Sequence, residues 1–231
     1  MGSGREPPSH PEGAARLASR RLSTRLTRSF YERDALAVAR DLIGCLFVVD
    51  HGAELAVLRL VETEAYRGAL DPGSHGYRGP RPRNRSMFGP PGRLYVYLSY
   101  GVHFCVNVVC GPEGVSEAVL LRAGEPVAGV EAMRARRGGI ESDRLLASGP
   151  GRLTQALGIT REHDGASLLR GGSMWCARDE TTARFQEGVL QTKRIGLGLG
   201  KGDDLLWRFV VSGHPFASRS SPQKERPPLL S

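Results

Sequence analysis

The sequence contains little lysine, no long hydrophobic run and no closely spaced pair of cysteines. No apolar stretch is long enough to cross a membrane, and no hydrophobic signal segment precedes the first predicted helix, so we expect a soluble protein without a membrane partner. The four cysteines have neither CxxC spacing nor the density of a small secreted domain. They predict reduced thiols in a cytosolic protein.

Motifs for metal and nucleotide chemistry are also missing. The stretch "HFCVNVVC" offers His103, Cys105 and Cys110 at uneven spacing, and the HxE and PCxxC elements of zinc deaminases do not occur. The sequence has no GxxxxGK[ST] and no GxSxG, and "GLGLGKG" lacks the strand, helix and acidic residue of a nucleotide-binding turn. We therefore expect no metal site and no cofactor.

Arginine supplies most of the positive charge. The 231 residues include 32 lysines and arginines against 24 acidic residues, a formal net charge of +8, and the only lysines are Lys193, Lys201 and Lys224. This balance favours a polyanionic partner, and arginine suits bidentate phosphate contacts. Codon usage in a GC-rich genome explains the arginine content equally well, so charge alone leaves the partner open.

Both ends of the chain are rich in Pro, Ser and Arg and have little to bury. We predict a disordered basic arm over residues 1–28, one globular domain over 29–217 and a flexible tail over 218–231. The arm could add charge for DNA binding or be an organelle presequence, although Glu6 and Glu12 argue against a presequence. We expect the arm to contribute only salt-sensitive, nonspecific affinity.

Hydrophobic periodicity predicts more strands than helices. Helical spacing occurs in "ERDALAVARDLIG", "EPVAGVEAMRARRGG" and "SGPGRLTQALGI", whereas strands are indicated by "CLFVVD", "ELAVLRLVETEAY", "LYVYLSY", "FCVNVVC", "EAVLLRA", "RIGLGL" and "LWRFVVSG". Most strands are joined by short turns, one of them formed by residues 101–103. We predict an α+β fold: a single compact domain on a curved, largely antiparallel sheet with flanking helices and a protruding β-hairpin.

Two carboxylates stand close together in "VETEAYRG". Side chains alternate along a strand, so Glu62, Glu64 and Tyr66 share one face, and the two acids lie roughly 6.6 to 7 Å apart. That separation falls in the range of glycosidase carboxylates, but two acids that point the same way from one strand do not flank a scissile bond. The residues alone leave two interpretations open, a solvated strand face or one acid that faces a substrate.

The hairpin "LYVYLSYGVHF" and the loop before it carry aromatic and basic side chains. Tyr95 and Tyr97 share a strand face, while Tyr100 lies at the turn, where an aromatic side chain can wedge into DNA or stack on a base. A tyrosine folded back onto its own hairpin is the alternative. The loop also carries Asn84 and four arginines: Arg78, Arg81, Arg83 and Arg85. Such a loop would suit phosphate contacts, and a basic loop that is only solvated is the alternative.

Several blocks of the sequence together resemble one known family. In chain order they are "RLVETEAYRG", "SHGYRG", "PRNRSMF", "GRLYVYLSYGVHFCVNVV", "AVLLRAGEP", "SGPGRLTQALGI" and "RIGLG", and the resemblance runs from about Phe30 to Ala217. It is to the alkyladenine (3-methyladenine) DNA glycosylase family of the vertebrate enzyme type, which lacks a helix-hairpin-helix. The resemblance implies a base excision repair enzyme that flips alkylated or deaminated purines out of duplex DNA and hydrolyses the N-glycosidic bond.

The resemblance also implies a role for each matched residue. Glu64 matches the general base, and Arg122 matches a residue that helps to place the attacking water, so both would be catalytic. The substrate-base pocket would consist of Tyr66, His75, Tyr97, Asn107 and Leu120. Asn107 would obstruct the exocyclic amino group of normal guanine, and Tyr100 would intercalate to fill the gap left in the duplex.

The implied reaction needs no cofactor, and no lysine lies near the matched residues. We therefore expect a monofunctional enzyme that leaves an abasic site. Its partner would be double-stranded DNA that contains damaged purines. We expect a monomer in the bacterial cytoplasm, associated with the nucleoid, or in the nucleus of a eukaryote. Val102 and His103 depart from the larger side chains usual at the hairpin tip, so the opposite-base preference is not predicted.

Two other classes of function are compatible with part of the pattern. A lesion-binding protein without cleavage would use the basic loop and Tyr100 but would not need Glu64 as a base. An RNA-binding module would use the same charges and aromatic side chains. The combined presence of Glu64, Arg122 and Asn107 argues against a binder that does not cleave.

Overall fold

The computed structural model describes residues 24–218, which form one β-sheet with short helices packed against it. Every strand pair within these residues is antiparallel, which confirms the predicted α+β class. The strands are β1 (Thr24–Arg25), β2 (Leu46–Asp50), β3 (Leu55–Arg67), β4 (Leu94–Ser99), β5 (His103–Cys110), β6 (Glu117–Ala128), β7 (Met174–Arg178), β8 (Val189–Thr192) and β9 (Arg208–Val211). The helices are α1 (Arg28–Tyr31), α2 (Ala35–Leu42), α3 (Val130–Arg136), α4 (Pro150–Ala156) and α5 (Thr182–Glu187).

Helix α2 forms where the sequence predicts a helix. Asp34 caps its first turn, since the side chain accepts a hydrogen bond from the backbone N–H of Leu36 at 2.8 Å. The apolar stripe is buried against the sheet; it comprises Ala35, Val38, Ala39 and Leu42. Gly44 then adopts a φ of 80°, a left-handed conformation that favours glycine, and turns the chain into β2.

Strand β3 is central because it pairs along both of its edges. The strand order is β1-β7-β2-β3-β6-β5-β4. Strand β6 runs along one edge of β3, while β2 pairs with the first half of the other edge and β9 pairs opposite residues 62–64. Glu62 and Glu64 therefore lie between two neighbouring strands, and neither side chain is exposed.

The two faces of β3 have different surroundings. On one face the Thr63 hydroxyl donates a hydrogen bond to the carbonyl of Ala39 in α2, at 2.8 Å. On the other face the Tyr66 hydroxyl donates a hydrogen bond to Glu64, at 3.0 Å. The predicted alternation is thus confirmed, and it separates the apolar core under α2 from a polar face.

The secondary structure predicted from the sequence needs correction at several points. The stretch "RIGLGL" is not a strand, because the Arg194 side chain turns inward to Asp71 and Gly196 takes a φ of 85°. The segment 125–128, expected to be helical, continues β6 because Ala128 pairs with Val57. Strands β7 and β8 and helix α5 were not predicted. The side chains of β7 are almost all buried, so it lacks the alternation that marks a half-exposed strand.

Regular structure begins before the predicted start of the domain. Strand β1 pairs with β7, and α1 starts at Arg28, so residues 24–28 are not part of a disordered arm. Ser218, assigned to the flexible tail, hydrogen-bonds to the buried Glu62. The remaining predictions for the two ends fall on residues 1–23 and 219–231 and lie outside the described residues. Over residues 24–218, the helices are too short or too polar to cross a membrane.

Candidate active site

One row of side chains crosses four strands and leads into a cavity. The strand registers place Glu64 opposite Leu120, Leu120 opposite Asn107, and Asn107 opposite Tyr95. Leu120, Asn107 and Tyr95 line a cavity of about 900 Å³. Its other walls include Tyr66, His75, Arg83, Met87, Tyr97, Arg122, Arg161 and Ile195. The cavity is large enough for a heteroaromatic base.

Glu64 lies directly behind the wall of this cavity. One oxygen, Oε1, accepts a hydrogen bond from the backbone N–H of Ile195 at 2.7 Å and lies 3.2 Å from Nη1 of Arg122. The other oxygen, Oε2, accepts from the Tyr66 hydroxyl at 3.0 Å. All three partners line the cavity, and the Glu64 side chain is fully buried, so the interpretation of a solvated strand face is wrong.

Arg122 joins the two carboxylates of β3. Its Nε donates a hydrogen bond to Glu62 Oε1 at 2.7 Å, while its Nη1 faces Glu64. Burial alone would lower the pKa of Arg122, but the Glu64 and Glu62 carboxylates raise it above the ordinary value, so the guanidinium stays charged. Burial alone would raise the pKa of Glu62, but Arg122 and Arg208 lower it, so Glu62 stays a carboxylate.

Aromatic rings form much of the cavity wall. The His75 and Tyr97 rings meet edge to face with centroids 4.5 Å apart, and Tyr97 stacks on Tyr95 at 5.4 Å. His75 Nδ1 is 2.9 Å from the Tyr95 hydroxyl. Burial raises the pKa values of Tyr66 and Tyr97, so both phenols are neutral at physiological pH. Partial burial and the charge of Arg83 lower the pKa of His75, which favours a neutral imidazole.

Asn84 anchors the loop that carries His75. Its side-chain amide donates to the carbonyls of His75 at 2.8 Å and Gly79 at 3.2 Å and accepts from the backbone N–H of Arg81 at 2.6 Å. Asn84 is buried and supports the loop from within, so its side chain is not among those that face outward. All four loop arginines are exposed, and of these Arg83 alone lines the cavity.

Asn107 is held in a fixed orientation at the cavity floor. It is buried on β5, and its side-chain amide donates a hydrogen bond to the carbonyl of Tyr95 at 3.2 Å. Leu120 lies beside it on β6 and is also buried. The cavity floor therefore combines one apolar side chain with one oriented amide.

Tyr100 projects from the tip of the β4–β5 hairpin. The last strand pair is Ser99 with His103, so the turn consists of residues 100–102 rather than 101–103. The Tyr100 side chain is 92% exposed, and its φ of 50° makes it the one non-glycine residue with a positive φ in the described part of the chain. The alternative of a tyrosine folded back onto the hairpin is wrong. Tyr100 also borders the cavity.

Several residues at the site were not predicted individually. Arg161 lines the cavity and donates a hydrogen bond to the carbonyl of Val96 at 2.7 Å. Ile195 supplies the N–H to Glu64 from a segment that was predicted to be a strand. The sequence did indicate Tyr95, because it shares a strand face with Tyr97. Arg161 and Ile195 reach the site through contacts between distant parts of the chain, which leave no local sequence pattern.

The His and Cys side chains of "HFCVNVVC" do not share one environment. In the structure, His103 is exposed at the start of β5, whereas Cys105 and Cys110 are buried. Over residues 24–218, no group of three or more His, Cys, Asp or Glu side chains is arranged to hold a metal ion. Cys105 borders the cavity, where burial raises its thiol pKa.

Comparison with known proteins identifies a family for this chain. Relatives named "Putative 3-methyladenine DNA glycosylase" include one from Methanoculleus marisnigri, 51% identical over 197 residues that cover 84% of this chain and 98% of the relative. Relatives from Carboxydothermus hydrogenoformans and Bradyrhizobium diazoefficiens are 45% and 44% identical, over 84% and 88% of this chain and 98% and 95% of their own. The model of the family described as "Methylpurine-DNA glycosylase (MPG)" matches residues 29–215. The chain therefore belongs to the methylpurine-DNA glycosylase family.

Proposed function

We propose that this chain is a monofunctional DNA glycosylase that flips a damaged purine nucleotide out of duplex DNA and hydrolyses its N-glycosidic bond. The observation that carries the proposal is the buried carboxylate of Glu64, which contacts three residues of an aromatic cavity beside the exposed Tyr100. Such an enzyme acts in base excision repair and leaves an abasic site. The hydrolysis requires no cofactor.

Glu64 acts as the general base in this proposal. A carboxylate has about four acceptor positions. Hydrogen bonds from Ile195 and Tyr66 occupy two of them and Arg122 forms an ion pair beside Oε1, which leaves an acceptor position for a water molecule aimed at C1′ of the sugar. Glu64 takes a proton from that water, the oxygen bonds to C1′, and the departing base keeps the electron pair of the glycosidic bond. The carboxylate also stabilises the oxocarbenium-like charge on the sugar.

The aromatic walls select the damaged base. Alkylation at N3 or N7 gives a purine a positive charge, which favours stacking on Tyr66, His75 and Tyr97 and also makes the base a good leaving group. A neutral lesion such as hypoxanthine needs protonation to leave, so its excision has an acidic pH optimum. Asn107, whose amide is fixed by the Tyr95 carbonyl, obstructs the exocyclic amino group of normal guanine.

Tyr100 supports the flipped state from the hairpin tip. Unstacking and unpairing a nucleotide costs a few kcal/mol, less for a weakly paired base. An exposed ring inserted at the position of the missing base restores part of the lost stacking. We infer that the protein acts as a monomer on damaged duplex DNA, in the bacterial cytoplasm with the nucleoid or in a eukaryotic nucleus.

A competition experiment separates this proposal from a lesion binder and an RNA-binding module. Single-turnover base release would be measured on hypoxanthine-containing duplex DNA, with undamaged DNA duplex or RNA duplex as competitor. A glycosylase releases the base, and the DNA competitor inhibits more strongly than RNA. Tight lesion binding without release would favour the binder, and stronger inhibition by RNA would favour the RNA module.

The chemistry also predicts the absence of a covalent enzyme–DNA complex. Among residues 24–218 no lysine lines the cavity, so none of the described lysines is placed to form a Schiff base with the abasic sugar. Borohydride treatment during base release is expected to trap no complex, and the DNA strand should remain intact until alkali is added. A trapped complex that disappears in Lys193→Ala or Lys201→Ala would contradict a monofunctional mechanism.

The lowered pKa of His75 predicts a pH effect on cationic lesions. Because the pKa of His75 lies below its usual value of 6.5, the imidazole is still mostly neutral at pH 6.5 and becomes positive only at lower pH. A charged ring weakens binding of 3-methyladenine, which is cationic in DNA, by about 1 kcal/mol, roughly fivefold, but leaves neutral hypoxanthine unaffected. The measurement is the Kd of a Glu64→Gln variant for both lesions against pH.

The matched control for this pH effect is the double variant Glu64→Gln, His75→Phe. Its ring cannot be protonated, so the two lesions should respond equally to acid. A difference between the lesions that persists in this variant would assign the effect to another group.

A further inference from the structure

Glu62 is a buried carboxylate that the proposed reaction does not use, yet it accepts four hydrogen bonds. Its Oε1 accepts from Nε of Arg122, Nε of Arg208 and the hydroxyl of Ser218, each at 2.7 Å. Its Oε2 accepts from the backbone N–H of Ser218 at 2.6 Å. The carboxylate as a whole is therefore held from three separate segments of the chain, and the side chain is 0% exposed.

This arrangement divides the guanidinium of Arg122 between two carboxylates. Nε is committed to Glu62 at 2.7 Å, and Nη1 lies 3.2 Å from Glu64. An arginine with a single carboxylate partner tends to form two parallel hydrogen bonds with it. Because Glu62 engages Nε, Arg122 contacts Glu64 through one nitrogen only.

We propose that Glu62 is a positioning residue, which with Ser218 holds Arg122 away from a two-point contact with Glu64 and so preserves the basicity of Glu64. The inference rests on the proposed function and assigns a role to Ser218, which follows β9 in the chain. Ser218 contacts both oxygens of Glu62, Oε1 through its hydroxyl and Oε2 through its backbone N–H, and so fixes the orientation of the carboxylate.

The consequence of losing Glu62 follows from electrostatics. A guanidinium released from Glu62 can rotate and pair with both oxygens of Glu64, occupying the acceptor position left for the attacking water. Loss of the negative charge and closer contact with Arg122 both stabilise the Glu64 carboxylate, and both therefore make Glu64 a weaker base. The acidic limb of the rate profile, which reports protonation of Glu64, should move to lower pH.

The other titratable and charged groups near Glu64 do not explain a shift of the acidic limb between the variants. They are Tyr66 on β3, Tyr97 on β4, Cys105 on β5, Arg122 on β6, Arg208 on β9 and Arg194 behind the Tyr66 ring. Burial raises the pKa values of the two phenols and the thiol, so these groups stay neutral in acid. The guanidinium group of arginine does not lose its proton in proteins. The lowered pKa of His75 affects the wild type and both variants, so it does not enter the comparison between them.

The test is the single-turnover rate of 3-methyladenine release from duplex DNA against pH, for wild type, Glu62→Gln and Ser218→Ala. This base carries a fixed charge and needs no protonation to leave. Glu62→Gln is expected to lower the plateau rate about tenfold and to shift the acidic limb to lower pH. Ser218→Ala removes one of the four hydrogen bonds and should shift both quantities in the same direction by less.

Asp179→Asn is the matched control. Asp179 accepts hydrogen bonds from Arg59 at 2.7 and 3.0 Å, but neither residue borders the cavity, so this variant should lose stability without moving the acidic limb. An unmoved limb in Glu62→Gln and Ser218→Ala overturns the positioning role, even if the variants melt earlier. If Glu62→Gln does not fold, Ser218→Ala decides alone. A wild type that releases no base would instead refute the proposed function.

Discussion

Replacing Glu64 by glutamine is expected to lower the single-turnover rate of base release by about 10²- to 10⁴-fold while lesion binding persists. Glutamine keeps the shape of the side chain, and its carbonyl oxygen can still accept from the N–H of Ile195 and face Arg122. Its amide can donate to the Tyr66 oxygen in place of the present contact. The substitution therefore removes the ability to accept a proton from water and little else.

Glu117→Gln is a suitable control for this loss. Glu117 is also a buried carboxylate, and it accepts a hydrogen bond from a backbone N–H, that of Ala35, at 2.8 Å. It does not border the cavity, so its change to glutamine should leave the rate of base release close to that of the wild type. Equal losses in the two variants would mean that Glu64 supports the fold and is not the base.

Replacing Tyr100 by alanine is expected to reduce excision from duplex DNA by roughly 10- to 100-fold, which corresponds to about 1 to 3 kcal/mol of lost stacking. The thermal stability should not change, because the side chain is 92% exposed. Alanine keeps a Cβ, so the strain of the positive φ is the same in both proteins. The loss should be confined to the duplex, since a single strand has no gap to fill.

The measurement compares release of the same lesion from duplex and from single-stranded DNA. Leu190→Ala is the control, because Leu190 is an exposed apolar residue on β8 that does not border the cavity. An equal loss on both substrates would assign Tyr100 to the base pocket, and no loss on the duplex would remove it from the flipping step.

Local sequence patterns predicted much of the fold. The helical spacing of Ala35, Ala39 and Leu42 predicted α2. The alternation around Glu64 predicted which side chains share a face of β3. The errors lie where long-range contacts decide the conformation. Arg194 does not form part of a strand as expected, because its buried side chain donates hydrogen bonds to Asp71, 123 positions earlier in the chain.

The candidate site could be predicted only in part for the same reason. Strand registers brought Glu64, Leu120 and Asn107 into one row, but no single stretch of sequence contains that row. The family resemblance supplied the matched residues, whereas the position of Asn84 beneath His75 follows from its buried hydrogen bonds. The four bonds to Glu62 likewise come from segments separated by up to 156 positions.

The most direct test of the central claim is to identify the products formed by the wild-type protein on duplex DNA that contains 3-methyladenine, in the presence of a chelator. The proposed hydrolysis predicts free 3-methyladenine and one abasic site per released base, on a strand that stays intact until alkali is added. A protein that binds the lesion tightly and releases no base would contradict the claim and favour a lesion binder that does not cleave.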